Sequence, residues 1–200
     1  DNSIIEKNIF KFIGASSWNH PIYHQASHTT IRNNYFIDFT GYGVHSYCSD
    51  YSGFCPMFDV SIYDNKFVKY NNKIPFSWGI VVKGKNYHIY NNEFTNLYRA
   101  YTMLDYVSDS VFENNVIINN DIGMLIQNLD GVSGNKFINN YVDANSVYLY
   151  LKDPIFDLSF NQYKKSPTYF LYDYALNTLD TKQIYDIKAL GYESGSFIIH

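Results

Sequence analysis

Apolar and polar positions along the chain fall into a six-residue phrase: apolar, any, polar (usually Asn), Asn, any, aromatic. The copies run Ile5 to Phe10, Ile31 to Phe36, Ile62 to Phe67, Ile89 to Phe94, Phe112 to Ile117, Val132 to Phe137 and Leu158 to Tyr163. The recurring Asn is Asn8, Asn34, Asn65, Asn92, Asn115, Asn135 and Asn161, at gaps of 26, 31, 27, 23, 20 and 26. A period in the twenties marks a solenoid, in which each repeat buries its apolar side only against its neighbours.

The phrase predicts a bend between two short strands. Asn tolerates the left-handed backbone region, and its amide can bond to neighbouring backbone or to the Asn of the next coil. A stacked Asn ladder with aromatics stacked inside is therefore expected. A second strand follows each bend by about ten residues: Gly43-Val44, Gly79-Ile80-Val81-Val82, Ala100-Tyr101-Thr102-Met103, Gly123-Met124-Leu125-Ile126 and Val147-Tyr148-Leu149. These short runs alternate with period two, and lead-ins such as Lys85-Asn86-Tyr87-His88-Ile89 supply a third. Three strands per coil without an intervening helix fit a parallel β-helix. A leucine-rich repeat also has an Asn ladder, but these coils use Ile, Val, Phe and Tyr rather than several Leu.

The pattern Ile-x-Asn-Asn-x-Phe followed by Gly-Ile-x-Val resembles the right-handed parallel β-helix repeat of the pectate-lyase-like superfamily, over residues 4 to 163. The resemblance implies an all-β fold, a right-handed parallel β-helix (solenoid) of about seven coils. It says less about function, because one scaffold hosts many chemistries. Residues 1–163 are expected to form the coils, and residues 164–200 an irregular Tyr-rich segment, a short C-terminal helix and a last strand packed on the solenoid. That helix is expected over Leu179 to Leu190, capped by Thr178 or Asp180 and stopped by Gly191. The stretch from Lys182 to Ser196 resembles a segment near the C-terminal end of many β-helix carbohydrate enzymes. No N-terminal cap is visible before the first repeat, so a piece of a longer chain with flanking domains is expected.

Composition narrows the partners. The 200 residues are 46% hydrophobic and only 17% charged, with net charge −4 and two arginines, Arg32 and Arg99. Nucleic-acid binding would call for a basic face, and no apolar run approaches the ~20 residues of a membrane span. Cys48 and Cys55, seven residues apart in the longest gap, read as a local disulfide or as free buried thiols. A disulfide favours an exported protein, and a secreted or cell-surface location is expected.

Chemistry on such a fold is built from outward columns and long loops. The segment after the second strand offers Lys83, Asp105, Gln127 and Tyr150 on successive coils. A carboxylate beside a Lys and a Tyr suits acid–base work on a sugar ring, so Asp105, Lys83 and Tyr150 are the candidate catalytic residues. Asp50, Asp105, Asp130 and Asp153 sit at similar offsets after the ladder and form a candidate Ca²⁺ site, Ca²⁺ preferring oxygen ligands. His20, His24 and His28 have helical spacing suited to zinc, but Pro21 argues for a loop. Tyr63 and Tyr90, bounded by Arg32 and Glu113, together with Arg99, Gln127, Tyr148 and Trp78, are the candidate substrate-binding set, since sugars lay apolar ring faces on aromatics. The loops near residues 14–28 and 45–58 are expected on neighbouring coils, walling a cleft. The Arg, Asp and His signatures of pectate lyases, polygalacturonases and alginate epimerases are absent. Two readings remain open: a lyase or hydrolase that recognises and cleaves polysaccharide, and a non-catalytic stalk, adhesin or filament subunit that self-associates.

Overall fold

The computed structural model describes residues 2–47, 57–104, 106–127, 133–151, 156–173 and 177–199, the side chains of Gln127, Tyr150, Leu151, Phe156 and Asp173 excepted. Each coil passes through three faces. The first face stacks Ser3–Glu6, Thr29–Arg32, Phe58–Tyr63, Lys85–Tyr90, Val111–Glu113, Asn135–Ile138 and Phe156–Ser159 into one parallel sheet of seven strands. The second face stacks Ile9–Lys11, Tyr35–Ile37, Lys66–Val68 and Glu93–Thr95. The third stacks Ile22–His24, Gly41–Ser46, Ser77–Val82 and Arg99–Met103. The long strands Val116–Gln127 and Tyr141–Leu151 run through the second and third faces together and merge them into a sheet of 14 strands. The result is an all-β parallel solenoid of about six turns, since seven stacked strands enclose six intervals.

The phrase acquires its physical meaning at the bend between the first and second faces. The residue in its third position takes the left-handed conformation in every coil: Lys7, Asn33, Asp64, Asn91, Asn114, Asn139 and Phe160, with φ from 53° to 59°. The Asn after it does not, which corrects the expectation that the ladder Asn itself supplies the left-handed turn. Its task is hydrogen bonding. The Asn8 N–H donates to Asn34 Oδ1 at 3.0 Å, and the step repeats from Asn34 to Asn65 (3.0 Å), Asn65 to Asn92 (3.0 Å) and Asn92 to Asn115 (2.9 Å). It continues from Asn115 to Asn140 (2.9 Å) and from Asn140 to Asn161 (2.9 Å). Each side-chain Nδ2 from Asn34 onward also donates to a first-face carbonyl of the coil before, as Asn65 does to Ile31 at 2.9 Å. The buried amides are thereby satisfied without water.

One ladder residue differs from the expected set. Asn140, not Asn135, stands between Asn115 and Asn161. The sixth phrase is Phe137 to Val142, ending in Val instead of an aromatic, and Asn135-Lys136-Phe137 five residues earlier imitates its close. Asn135 works at another bend, where its Oδ1 accepts from the Ser110 N–H (3.0 Å) and its Nδ2 donates to the Val107 carbonyl (2.7 Å).

Inside, Phe10, Phe36, Phe67 and Phe94 stack face to face, with ring centres 4.4 to 4.8 Å apart and planes within 9°. This stack dictates where side chains are forbidden. A Cβ on Gly43 would lie 2.7 Å from the Phe67 ring, and one on Gly79 would lie 2.5 Å from Phe94 and 2.4 Å from the Ala100 carbonyl. Small residues therefore open the third-face strands, and the residue before each, Tyr42 and Trp78, is directed outward.

Parallel pairing does not stop at Tyr163. Thr168–Asp173, expected to be irregular, adds to Tyr141–Leu151, and Thr178–Lys182 folds back on it as the one antiparallel pair among the described strands. That pairing claims residues expected to be helical, so the helix is shorter, Ile184–Ala189. It starts at a capping box in which the Gln183 N–H donates to Asp186 Oδ2 at 3.0 Å, and Thr178 and Asp180 lie in the strand instead. The helix buries Ile184 and Ile187, and Phe197–Ile198 returns parallel to Gln162–Tyr163. Behind it the fully buried Glu193 ends the ladder, accepting from Asn161 Nδ2 (3.1 Å), Ser196 Oγ (2.7 Å), Tyr169 OH (2.8 Å) and Tyr163 OH.

Candidate functional site

The outer side of the third face is set by strand register. Tyr42 pairs with Trp78 and Trp78 with Arg99, while Tyr23 pairs with His45 and His45 with Val81. Core residues Val44, Ile80 and Tyr101 alternate with them and point inward. Two outward columns thus carry an indole, a guanidinium, two phenols and an imidazole at neighbouring positions, each coil ~4.8 Å from the next. The loop before Ile22–His24 folds over this surface. Ser17, Trp18 and His20 from the loop, with Tyr23, Tyr42, His45, Tyr47, Trp78, Val81 and Leu104, line a groove of about 490 Å³.

The rings hold one another. His45 lies edge-on to His20 (4.3 Å between centres) and to Tyr23 (4.8 Å), with Tyr47 and Tyr42 at 5.3 and 5.4 Å. His20 is oriented by the Tyr42 N–H, which donates to its Nδ1 at 3.0 Å. Burial lowers the pKa of both imidazoles. For His45 burial and the charge of His20 bring it to about 4, so the pair is uncharged near neutrality. Trp78 packs on Tyr42 at 4.7 Å, and the Arg99 guanidinium lies 5.8 Å from the Trp78 ring and 5.9 Å from that of Tyr98. Arg99 Nη1 donates to Thr102 Oγ1 at 3.2 Å.

Three polar atoms here are buried and without a protein partner among the described residues: Trp78 Nε1, Arg99 Nε and His45 Nδ1. Buried polar groups in folded proteins are almost always paired, and an orphan costs about 1–3 kcal/mol. Ring faces beside unspent polar atoms offer apolar stacking, together with directional bonds to hydroxyl oxygens once a small side-chain rotation uncovers them; His45 Nδ1 donates or accepts according to its tautomer. No carboxylate lines the groove among the described residues.

The residues singled out in the sequence are divided by the fold. Trp78 lines the groove, and Arg99 packs against its ring. Tyr63 and Tyr90 stack at 4.7 Å on the first face, in register between Arg32 and Glu113, with Arg32 Nη1 donating to Tyr63 OH at 2.9 Å. They belong to another side of the solenoid. Tyr148 shares the His45 column at its far end, stacked on Phe170 at 4.5 Å. Lys83 is buried, its ammonium 5.2 Å from the Tyr47 ring and 5.3 Å from that of Tyr106. Through the register of Val82, Met103, Ile126 and Leu149, the strands leading to Lys83 and Tyr150 are three steps apart, roughly 14 Å. Asp105 and the side chains of Gln127 and Tyr150 lie outside the described residues. So do Cys48, Cys55, Asp50, Asp130 and Asp153, and with them the disulfide and the acidic Ca²⁺ site.

The three histidines of the zinc spacing separate. His20 faces the groove, His24 points inward with Nδ1 2.9 Å from Ser46 Oγ, and His28 on the first face sits 3.4 Å from Asp59. A strand, Ile22–His24, interrupts the expected loop, and its alternation sends His24 and Tyr23 to opposite sides. Among the described residues no three His, Cys, Asp or Glu gather closely enough to hold a metal, and no helix is long and apolar enough to cross a membrane. Sequence reading missed Trp18, Tyr23 and Tyr42 as groove residues. The available signal was the outward residue preceding each small third-face residue, which picks out Tyr42 and Trp78 together.

A family model described as a right handed beta helix region matches residues 1–162. No curated protein and no solved structure is significantly similar to the chain.

Proposed function

The chain belongs to the right-handed β-helix family, and from that premise we propose that it binds a glycan along the outer side of its third face. The observation that carries this reading is the groove of about 490 Å³ in which Tyr42 and Trp78 offer ring faces, with the unpartnered Trp78 Nε1 and His45 Nδ1 on lining residues and the unpartnered Arg99 Nε on a guanidinium packed against Trp78. Sugar rings present apolar C–H faces to aromatics and hydroxyls to such donors. Cleavage, by a lyase or hydrolase reaction, is the finer part of the proposal. His45 is the groove's neutral base for proton transfer, while His20, whose Nδ1 accepts the Tyr42 N–H, presents Nε2–H as a donor. A polysaccharide ligand suits a secreted or cell-surface location.

The test is to mix the folded chain with a panel of acidic and neutral polysaccharides, with and without Ca²⁺, measuring retention by affinity electrophoresis and products by mass spectrometry. Retention by at least one glycan is expected, weakened about tenfold or more in Trp78→Ala, the order of one buried aromatic contact. Unsaturated oligomers would identify a lyase and water-added ones a hydrolase. Retention of none of the panel, or retention unchanged in Trp78→Ala, overturns the assignment.

A further inference from the structure

The groove has a wall at Trp18, and on its other side lies a second depression of about 750 Å³, lined by Phe12, Ile13 and Ala15 and bounded by Trp18, His20 and Tyr23. The last three line the groove as well. We propose that this depression is a second sugar subsite, so that the ligand is an oligomer crossing Trp18. The proposal rests on the glycan reading above and adds the ligand's length and path.

Three observations point there. First, the wall is exposed yet fastened. Trp18 is 83% and Phe12 63% accessible, while the loop carrying Trp18 is tied by Asn19. The Oδ1 of Asn19 accepts from the Ala15 N–H (3.2 Å), the Ser16 N–H (3.0 Å) and Ser16 Oγ (2.9 Å). Thr40 anchors the loop to the solenoid, donating from Oγ1 to the Ser16 carbonyl (2.9 Å) and from its N–H to the Ile13 carbonyl (3.0 Å). An aromatic held in place without being buried is arranged for contact with something outside the fold.

Second, Phe12 sits at φ 54°, a conformation disfavoured for a bulky side chain. The same turn closes the second face in other coils, at Asp38, Asn96 and Asn119, so it belongs to the scaffold; what sets the first coil apart is that a large aromatic occupies it. Here it ends the second-face strand and leaves the ring outside the core, with the Lys11 ammonium 4.9 Å away. Third, the two depressions adjoin, sharing Trp18, His20 and Tyr23. The groove alone runs from Tyr23 on the first coil through Tyr42 and Trp78 to Leu104 on the fourth, roughly 14 Å along the axis at ~4.8 Å per coil, and the second depression adds Phe12, Ile13 and Ala15 at its first-coil end. The occupant of the second depression is therefore the continuation of the chain held in the first.

The experiment is a calorimetric titration with cello-, xylo-, manno- and chito-oligosaccharides from disaccharide to hexasaccharide. For the series that binds, affinity is expected to rise about tenfold with length, the order of one added aromatic stacking contact. Phe12→Asn removes the ring while placing at φ 54° a residue that tolerates it. It should abolish the rise and leave disaccharide affinity unchanged, while Phe12→Tyr keeps both; equal melting temperatures certify the fold. Affinity independent of length, or a rise that survives in Phe12→Asn, overturns the second subsite alone if Trp78→Ala still weakens disaccharide binding about tenfold or more. Failure of every saccharide to bind overturns this inference together with the glycan reading.

Discussion

Along Ser77–Val82, Ile80 and Val82 point into the core, whereas Trp78 and Val81 point out. The two sides of this strand follow different rules. Inward, the pattern of each coil repeats that of the last: Phe stacks on Phe, and each ladder Asn satisfies the next. Outward, the Trp78 column changes chemistry at each step, from Tyr to Trp to Arg, and leaves donors unspent. Repetition marks the interactions that hold the solenoid, because every coil must solve the same packing problem. Departure from repetition, on a face that needs no particular residue to fold, marks where chemistry has been placed.

The sharpest way to break the inner side is Asn92→Ala. It removes the acceptor of two donors at once, the backbone N–H and the Nδ2 of Asn65, each at 3.0 Å. At about 1–3 kcal/mol per orphaned buried donor, a loss of roughly 4 kcal/mol is expected in denaturant unfolding. A loss below about 1 kcal/mol would show that water replaces the amide and that the ladder is not what fixes the bend.

A smaller effect comes from acid and tests the outer side. The folded-state pKa of His45, about 4, is depressed below its ordinary value of 6.5. The unfolded chain then binds the proton that the folded chain refuses. Stability is full above pH 6.5 and is lost as pH falls toward about 4, by up to roughly 3 kcal/mol. Burial depresses His20 and His24 in the same direction. His45→Phe should flatten this part of the melting-temperature profile against pH, and an unchanged slope would place the acid sensitivity elsewhere. The smallest effect is a control. Exposed Asn145 also reaches the neighbouring coil, donating to Asp121 Oδ1 at 3.3 Å. Asn145→Ala should change stability by no more than about 0.5 kcal/mol, showing that burial and not coil-to-coil bonding as such gives the ladder its worth.

The difference between the two sides also explains how far the residues could be read without coordinates. Repeated interactions announce themselves, so the phrase led to the solenoid, the stacked Phe column and most of the ladder. It misled at Asn135 because that residue, two before Phe137, imitates the end of the next phrase by local spacing alone. The groove was only half legible. Trp78 stands in a strand whose register follows from the phrase, and Arg99 is its partner in the next strand. Tyr23 and His20 lie in a stretch without periodicity, and their approach to His45 depends on Ile22–His24 pairing with Gly41–Ser46 across a gap of some twenty residues. Tyr63 and Tyr90 stack in one outward column as the phrase implies, but on a different face from Trp78; a linear pattern does not say which of three faces a column occupies.

The spacing between successive ladder residues runs from 21 to 31 positions, yet the hydrogen bonds that join them stay at 2.9 to 3.0 Å. The ladder works as an index: each coil is re-registered at its Asn whatever the length of chain since the previous one. Insertions and deletions between indices are absorbed in the connecting loops and are not passed on to the coils that follow. For an architecture in which binding surfaces are made by loops, this separates inheritance of the scaffold from variation of the site. New segments can be spliced between Lys11 and Ile22, or after Ser46, while the reading frame of the stack is kept.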